Sequence, residues 1–253
     1  MTGVKTETPL SKVPEVTLGF WVLKILATTL GETAGDALSM SLNLGYLLST
    51  GIFAAVFLAA LALQIHAVKF HPAIYWVTII ATTTVGTTLA DFCDRSLGIG
   101  YPGGSLLLLG LLAASLFAWK RSTGTLAVSS VSTPKAEAFY WITILCSQTL
   151  GTALGDWSSD SMDLGYLGSA AIFGGILILL AIAAWKTSLS RTLLFWSAFI
   201  LTRPLGAVVG DFLDKPHDNG GLALDRLSAS AVLLVLMGIV LAARPQRAAT
   251  SAH

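Results

Sequence analysis

Eight apolar stretches follow one another along the chain, at about 18–36, 45–66, 74–91, 103–120, 138–156, 165–186, 192–211 and 222–243. Each is close to the roughly 20 residues that a helix needs to cross a bilayer at 1.5 Å per residue. The gaps between them leave no room for a soluble domain. The first stretch of each pair closes on an aspartate, and the second carries almost nothing polar in its middle. The pattern predicts an all-α polytopic membrane protein of eight transmembrane helices.

The polar positions repeat. Asp36, Asp91, Asp156 and Asp211 are spaced by 55, 65 and 55 residues. Gly31, Gly86, Gly151 and Gly206 keep the same intervals, as do Trp21, Trp76, Trp141 and Trp196, and Gly45, Gly100, Gly165 and Gly220. Columns in one ungapped register mark four copies of one unit. Each copy holds two predicted spans, an even number that returns the chain to the side where it began. The copies are therefore expected as four parallel two-helix repeats, with all four aspartates at one side. The boundaries read as a flexible cytoplasmic tail at 1–17, repeats at 18–66, 74–120, 138–186 and 192–243, a polar linker at 121–137 and a second cytoplasmic tail at 244–253.

Stepping back four residues at a time from each aspartate follows one helical face. It reads Asp36, Glu32, Thr28 and Lys24 in the first copy, and Asp91, Thr87, Thr83 and Ile79 in the second. The third gives Asp156, Thr152, Gln148 and Ile144, and the fourth Asp211, Ala207, Arg203 and Phe199. A polar stripe thus runs inward from every carboxylate, so the first helices should line a centre and the second helices should face lipid. Glycines four apart, as in Gly31/Gly35, Gly151/Gly155 and Gly206/Gly210, allow close helix approach. The four tryptophans, at the opposite end, read as interfacial anchors.

Three charges fall at membrane depth. Lys24, Glu32 and Arg203 each cost roughly 2.5–3.5 kcal/mol at a helix centre on insertion scales. Lys24 lies nearest the end and is expected to snorkel. Cyclic packing of the copies would bring Arg203 to Glu32, an ion pair with the character of a gate. Pro204 should kink that helix. A carboxylate at a helix C-terminus also opposes the macrodipole, and a cation would relieve that.

Composition agrees: 54% of the 253 residues are hydrophobic, 11% are charged, and the mean hydropathy is +0.75. Ten lysines and arginines fall on the side of the termini against three (Arg95, Lys215 and Arg226) on the aspartate side. The positive-inside rule then puts both termini in the cytoplasm. A net charge of +1 gives no reason to expect a nucleic-acid partner. Cys93 and Cys146 occupy different repeat positions, which implies neither a disulfide nor a thiolate metal site, and the four histidines do not cluster.

The string from Lys24 through Thr28, Thr29, Gly31 and Glu32 to Gly35 and Asp36, followed by three weaker copies, resembles a bacterial family of membrane-anchored proteins built from four copies of a repeat of unknown function. The resemblance spans about residues 18–243. It implies the four-repeat architecture and an association with manganese-type metal-ion tolerance. Only the first copy keeps both Lys and Glu, which makes the copies non-equivalent.

The functional expectation is a transporter of a divalent metal cation, manganese-type and exported, with proton coupling through Glu32. Its ion-binding residues would be Asp36, Asp91, Asp156, Asp211, Glu32, Thr28, Thr83, Thr87, Gln148 and Thr152. The four aspartates with Glu32 would ligate the metal as substrate, and Lys24, Glu32 and Arg203 would gate. The alternatives are a proton-coupled carrier of a small organic cation or zwitterion, and a scaffold or sensor in the membrane. The partners expected are the bilayer and an inorganic cation, with no cofactor. No nucleophile–base pair, HExxH or phosphate loop suggests an enzyme.

Overall fold

A computed structural model describes residues 11–250. Eight long helices account for most of them: α1 Leu18–Asp36, α2 Gly45–His66, α3 Pro72–Asp91, α4 Tyr101–Thr123, α5 Pro134–Asp156, α6 Gly165–Lys186, α7 Arg191–Asp214 and α8 Arg226–Ala243. Local chemistry starts them. Thr17, Thr133, Ser190 and Asp225 cap the N-termini of α1, α5, α7 and α8 by accepting from a backbone N–H three residues on. Proline stands in the first turn of α3, α4 and α5, where its missing N–H is no loss. Six of the eight, all but α1 and α5, are long and apolar enough to cross a membrane. In α1, Lys24, Glu32 and three threonines dilute the apolar content, and in α5 Ser147, Gln148, Thr149 and Thr152 do the same.

The helices sort into two shells. α1, α3, α5 and α7 form an inner ring in which each packs on the next and α7 closes on α1. Their polar stripes are buried in it. The outer helices α2, α4, α6 and α8 show Leu, Ile, Val and Phe to the outside. Each outer helix packs on the inner helix of the following repeat: α2 on α3, α4 on α5, α6 on α7, and α8 back on α1. The expected division into lining and outward-facing helices holds, with this forward offset that the spacing did not reveal.

Glycine sets the closeness of the ring. A Cβ on Gly31 would strike Thr83, on Gly86 Gln148, on Gly151 Arg203, and on Gly206 Thr28. These are four equivalent contacts, each from one repeat to the next, and together they close a circle at one level. One turn on, Gly35 meets Thr87, Gly155 meets Ala207 and Gly210 meets Glu32. Only hydrogen leaves space for these side chains to cross the interface.

After Asp36, Asp91 and Asp156 the helix widens into a single π turn, Ala37–Ser41, Phe92–Ser96 and Trp157–Ser161. The chain then reverses through Asn43, Gly98 or Asp163, all at positive φ, and through Gly45, Gly100 or Gly165. The aspartates therefore sit a turn inside the helical path, and the expected position at a helix C-terminus is corrected. The fourth repeat differs: α7 continues to Asp214, Pro216 follows, and a 3-10 turn at His217–Asn219 leads to Gly220. α7 also runs unbroken through Pro204.

The opposite end is closed by aromatic rings. Phe20, Tyr75, Trp76, Trp119, Tyr140, Trp141, Phe195, Trp196 and Phe199 are buried there, largely in edge-to-face or tilted pairs 5.2–6.1 Å apart. The Tyr75 and Tyr140 hydroxyls are 2.6 Å apart. Trp76, Trp141 and Trp196 are thus members of a plug and not interfacial anchors; Trp21 alone of the column is only partly buried. Residues 11–17, read as loose tail, pack as a strap. Ser11 donates to Val128 O, Lys12 pairs with Glu137 at 2.8 Å, and Pro14 bridges to Ala248. The 121–137 linker is correspondingly short, since α4 runs to Thr123, α5 starts at Pro134, and Val128 and Val131 between them are buried. Residues 1–10 and 251–253 of the two tails lie outside the described part.

Candidate functional site

The inner ring stacks its polar residues in layers one turn apart. At the level of the aspartates all four carboxylates are buried, and two cations divide them. Arg95, one turn after Asp91, holds Asp91 at 3.1 Å and Asp156 of the next repeat at 3.1 Å. Lys215, one turn after Asp211, holds Asp211 at 3.1 Å and reaches Asp36 of the next repeat in the ring. The two clamps stand 120 residues apart in the chain, so the layer has two-fold and not four-fold character.

The halves are chemically unequal. Around Lys215 gather Asp36, Asp211 and Asp214, and Arg226 pairs with Asp214 at 3.1 Å. Burial alone would lower the Lys215 pKa, but the Asp211, Asp36 and Asp214 carboxylates outweigh it and hold the ammonium well above the usual lysine range. One turn deeper, Glu32 adds its carboxylate to this half, and Glu32, Asp36 and Asp211 offer oxygens all within 4.8 Å of one another. In the other half the residues beneath the aspartates are Thr87 and Thr152.

Arg203 supports that deeper layer. It is fully buried, and its Nη2 lies 2.8 Å from Glu32 Oε2 and 2.6 Å from Thr87 Oγ1, with Thr152 Oγ1 also in hydrogen-bond contact. The Arg203–Glu32 pair anticipated from cyclic packing is present. Lys24 is not part of it. Its ammonium does not reach the surface, as snorkelling required, but sits 4.2 Å over the Phe199 ring, fully buried and without a hydrogen-bond partner. Thr28 donates to backbone carbonyls of α1 and to Thr202 O, so its hydroxyl is spent on helix contacts. Thr83 and Gln148 lie at the same level with no side-chain hydrogen-bond partner.

The structure therefore brings Asp36, Asp211 and Glu32 into one cluster and places Asp91 and Asp156 in a second. Sequence reasoning missed Arg95, Lys215 and Arg226 as parts of the site. A signal was available: Arg95 and Lys215 each follow an aspartate by four residues, one helical turn on the same face.

A family profile described as Repeat of Unknown Function (DUF347) matches the chain four times, at residues 19–70, 74–125, 139–190 and 194–245. The chain belongs to this repeat family. Each DUF347 match spans an inner helix and the outer helix that follows it, so each carries one aspartate of the layer and the glycine that spaces it. No curated protein and no solved structure matches the chain.

Proposed function

We propose that this DUF347 protein is a membrane transporter, and not an enzyme, that carries a divalent metal cation through Asp36, Asp211 and Glu32. On this reading all eight helices cross the bacterial inner membrane as four parallel two-helix repeats, with the termini cytoplasmic and a manganese-type ion exported. The observation that carries it is the Lys215 ammonium among three buried carboxylates: the cluster already holds a cation, tethered to the protein, which an incoming ion would replace. Carboxylate oxygens are hard ligands suited to Mn²⁺, Mg²⁺ or Ca²⁺. The register of the glycine contacts around the ring supports the parallel arrangement. The charge count supports the orientation, since the three cations on the aspartate side all pair with carboxylates.

The test is flux of Mn²⁺, Mg²⁺, Ca²⁺ and Zn²⁺ in proteoliposomes for wild type and Asp36→Asn. Saturable flux of one ion, lost in the variant, is the expected outcome. Folded wild-type protein that moves none of them sinks the metal reading. A second reading rests on the same ammonium: a site shaped around a primary amine also suits a small organic cation, which would stabilise the protein in the absence of metal.

A further inference from the structure

Below the aspartate layer, polar atoms lie buried without partners. They are Lys24 Nζ, Arg203 Nε and Nη1, both amide atoms of Gln148, and Thr83 Oγ1. All four residues are fully buried. They occupy adjacent levels of the inner ring, Lys24 one turn from Thr28, which closes the level of Thr83, Gln148 and Arg203. Thr83, Gln148 and Arg203 hold equivalent positions on α3, α5 and α7, at the level closed by the Gly31/Thr83, Gly86/Gln148 and Gly151/Arg203 contacts. Phe199, whose ring carries the Lys24 ammonium, is one turn from Arg203 on α7. Donors dominate the set, and leaving each such group unsatisfied costs about 1–3 kcal/mol, more for the charged ones.

The charge balance is also incomplete. Between the aspartates and the aromatic plug the inner helices carry two cations, Lys24 and Arg203, and one anion, Glu32. Glu32 is committed to Arg203 at 2.8 Å. Among the described residues Lys24 has no carboxylate within ion-pair distance, and the phenyl ring beside it supplies only a weak substitute.

We infer that one small monovalent anion, of halide or carboxylate class, binds between Lys24, Arg203 and Gln148. Arg203 offers Nε–H and Nη1–H, Lys24 offers its ammonium, and Gln148 offers its amide N–H. The anion completes the charge balance that Glu32 leaves one short. Water would satisfy the donors but not the charge. The inference does not rest on the cation reading: Lys24 and Gln148 stand apart from the Asp36–Asp211–Glu32 cluster, and Arg203 touches it only through the Nη2 bond to Glu32, not through the Nε and Nη1 used here.

The experiment uses purified full-length protein in detergent, exchanged into sodium gluconate, a chloride-free salt of a bulky anion. It is titrated with chloride at constant ionic strength, with bound ³⁶Cl⁻ and the melting temperature both recorded. One saturable chloride per chain with a rising melting temperature is expected. Lys24→Met should abolish binding. Gln148→Leu should weaken it about tenfold, the loss of roughly one good hydrogen bond to a charge. Monodisperse wild type without saturable chloride binding overturns the inference, and so does undiminished binding in folded Lys24→Met. If Lys24→Met does not fold, Gln148→Leu decides: weaker binding supports the site and unchanged binding overturns it. Metal flux measured on the same variants separates this result from the fate of the cation proposal.

Discussion

The two halves of the aspartate layer share a backbone plan and differ in what fills it. Each has two aspartates from consecutive repeats and one cation placed a turn after the first of them. In one half the cation is Arg95, a planar fork bound to Asp91 and Asp156 above two threonines, with its third carboxylate, Asp160 at 3.9 Å, exposed and not buried. In the other it is Lys215, a compact ammonium among Asp36, Asp211 and Asp214 with Glu32 below. A guanidinium with fixed geometry makes a lasting brace, whereas an ammonium on a flexible stem is a point charge that another cation can displace. The difference teaches that internal repetition built the scaffold and that substitution in alternate copies made one half a brace and the other the candidate site.

The sharpest break in that contrast is at the deeper layer. Arg203→Gln leaves Glu32 buried without a cation and should destabilise the protein by about 3–5 kcal/mol, whereas Thr152→Val in the other half should cost about 1 kcal/mol. Thermal unfolding of both, with Glu32→Gln/Arg203→Gln recovering part of the larger loss, checks the ranking. Equal losses would mean that the halves do not differ where it matters.

Replacing the clamps tests displacement. Lys215→Met leaves Asp36 and Asp211 without their cation in one place, so added Mn²⁺ or Ca²⁺ should stabilise it, by about 2.7 kcal/mol at a hundred times the dissociation constant. Arg95→Met should gain far less from the same metal. Metal titration followed by melting temperature reads both, and a larger gain in Arg95→Met would reverse the assignment of site and brace.

Backbone equivalence predicts a smaller and symmetrical effect. Gly86 and Gly206 occupy the same position in repeats two and four, and a Cβ on either would strike the next inner helix, at Gln148 and Thr28 respectively. Gly86→Ala and Gly206→Ala should each cost about 1–3 kcal/mol. Smallest are the caps. Thr17→Ala and Thr133→Ala remove the matching N-cap bonds of α1 and α5 and should each cost about 1 kcal/mol without changing ion selectivity. Unequal losses within either pair would place the asymmetry in the backbone and not in the side chains.

Much of the fold was legible because the membrane simplifies the code. Apolar length located eight helices to within a few residues, and the repeat located the inner stripe and the Arg203–Glu32 pair. The clamps were not legible. Arg95 and Lys215 lie beyond the apolar stretches and count there as loop charges; a π turn or an extended α7 is needed to keep them on the face of the preceding aspartate. The tryptophans misled for a related reason, since amphipathic rings near a helix end suit an interface, and only the closeness of the glycine-spaced ring turns them inward. Lys24 was placed by its distance from the end, but the plug above it blocks the escape that distance suggested.

The forward packing of the outer helices has a consequence for biogenesis. Chains are made from the N-terminus at about 5–20 residues per second. Glu32 and Arg203 are 171 residues apart, so α1 waits about 10–30 s before its ion-pair partner has been synthesised. Its covering helix, α8, comes later still. During that interval Lys24 and Glu32 of α1 must be sheltered by the insertion machinery or by α3 alone. The first helix of the ring to leave the ribosome is the last to be completed.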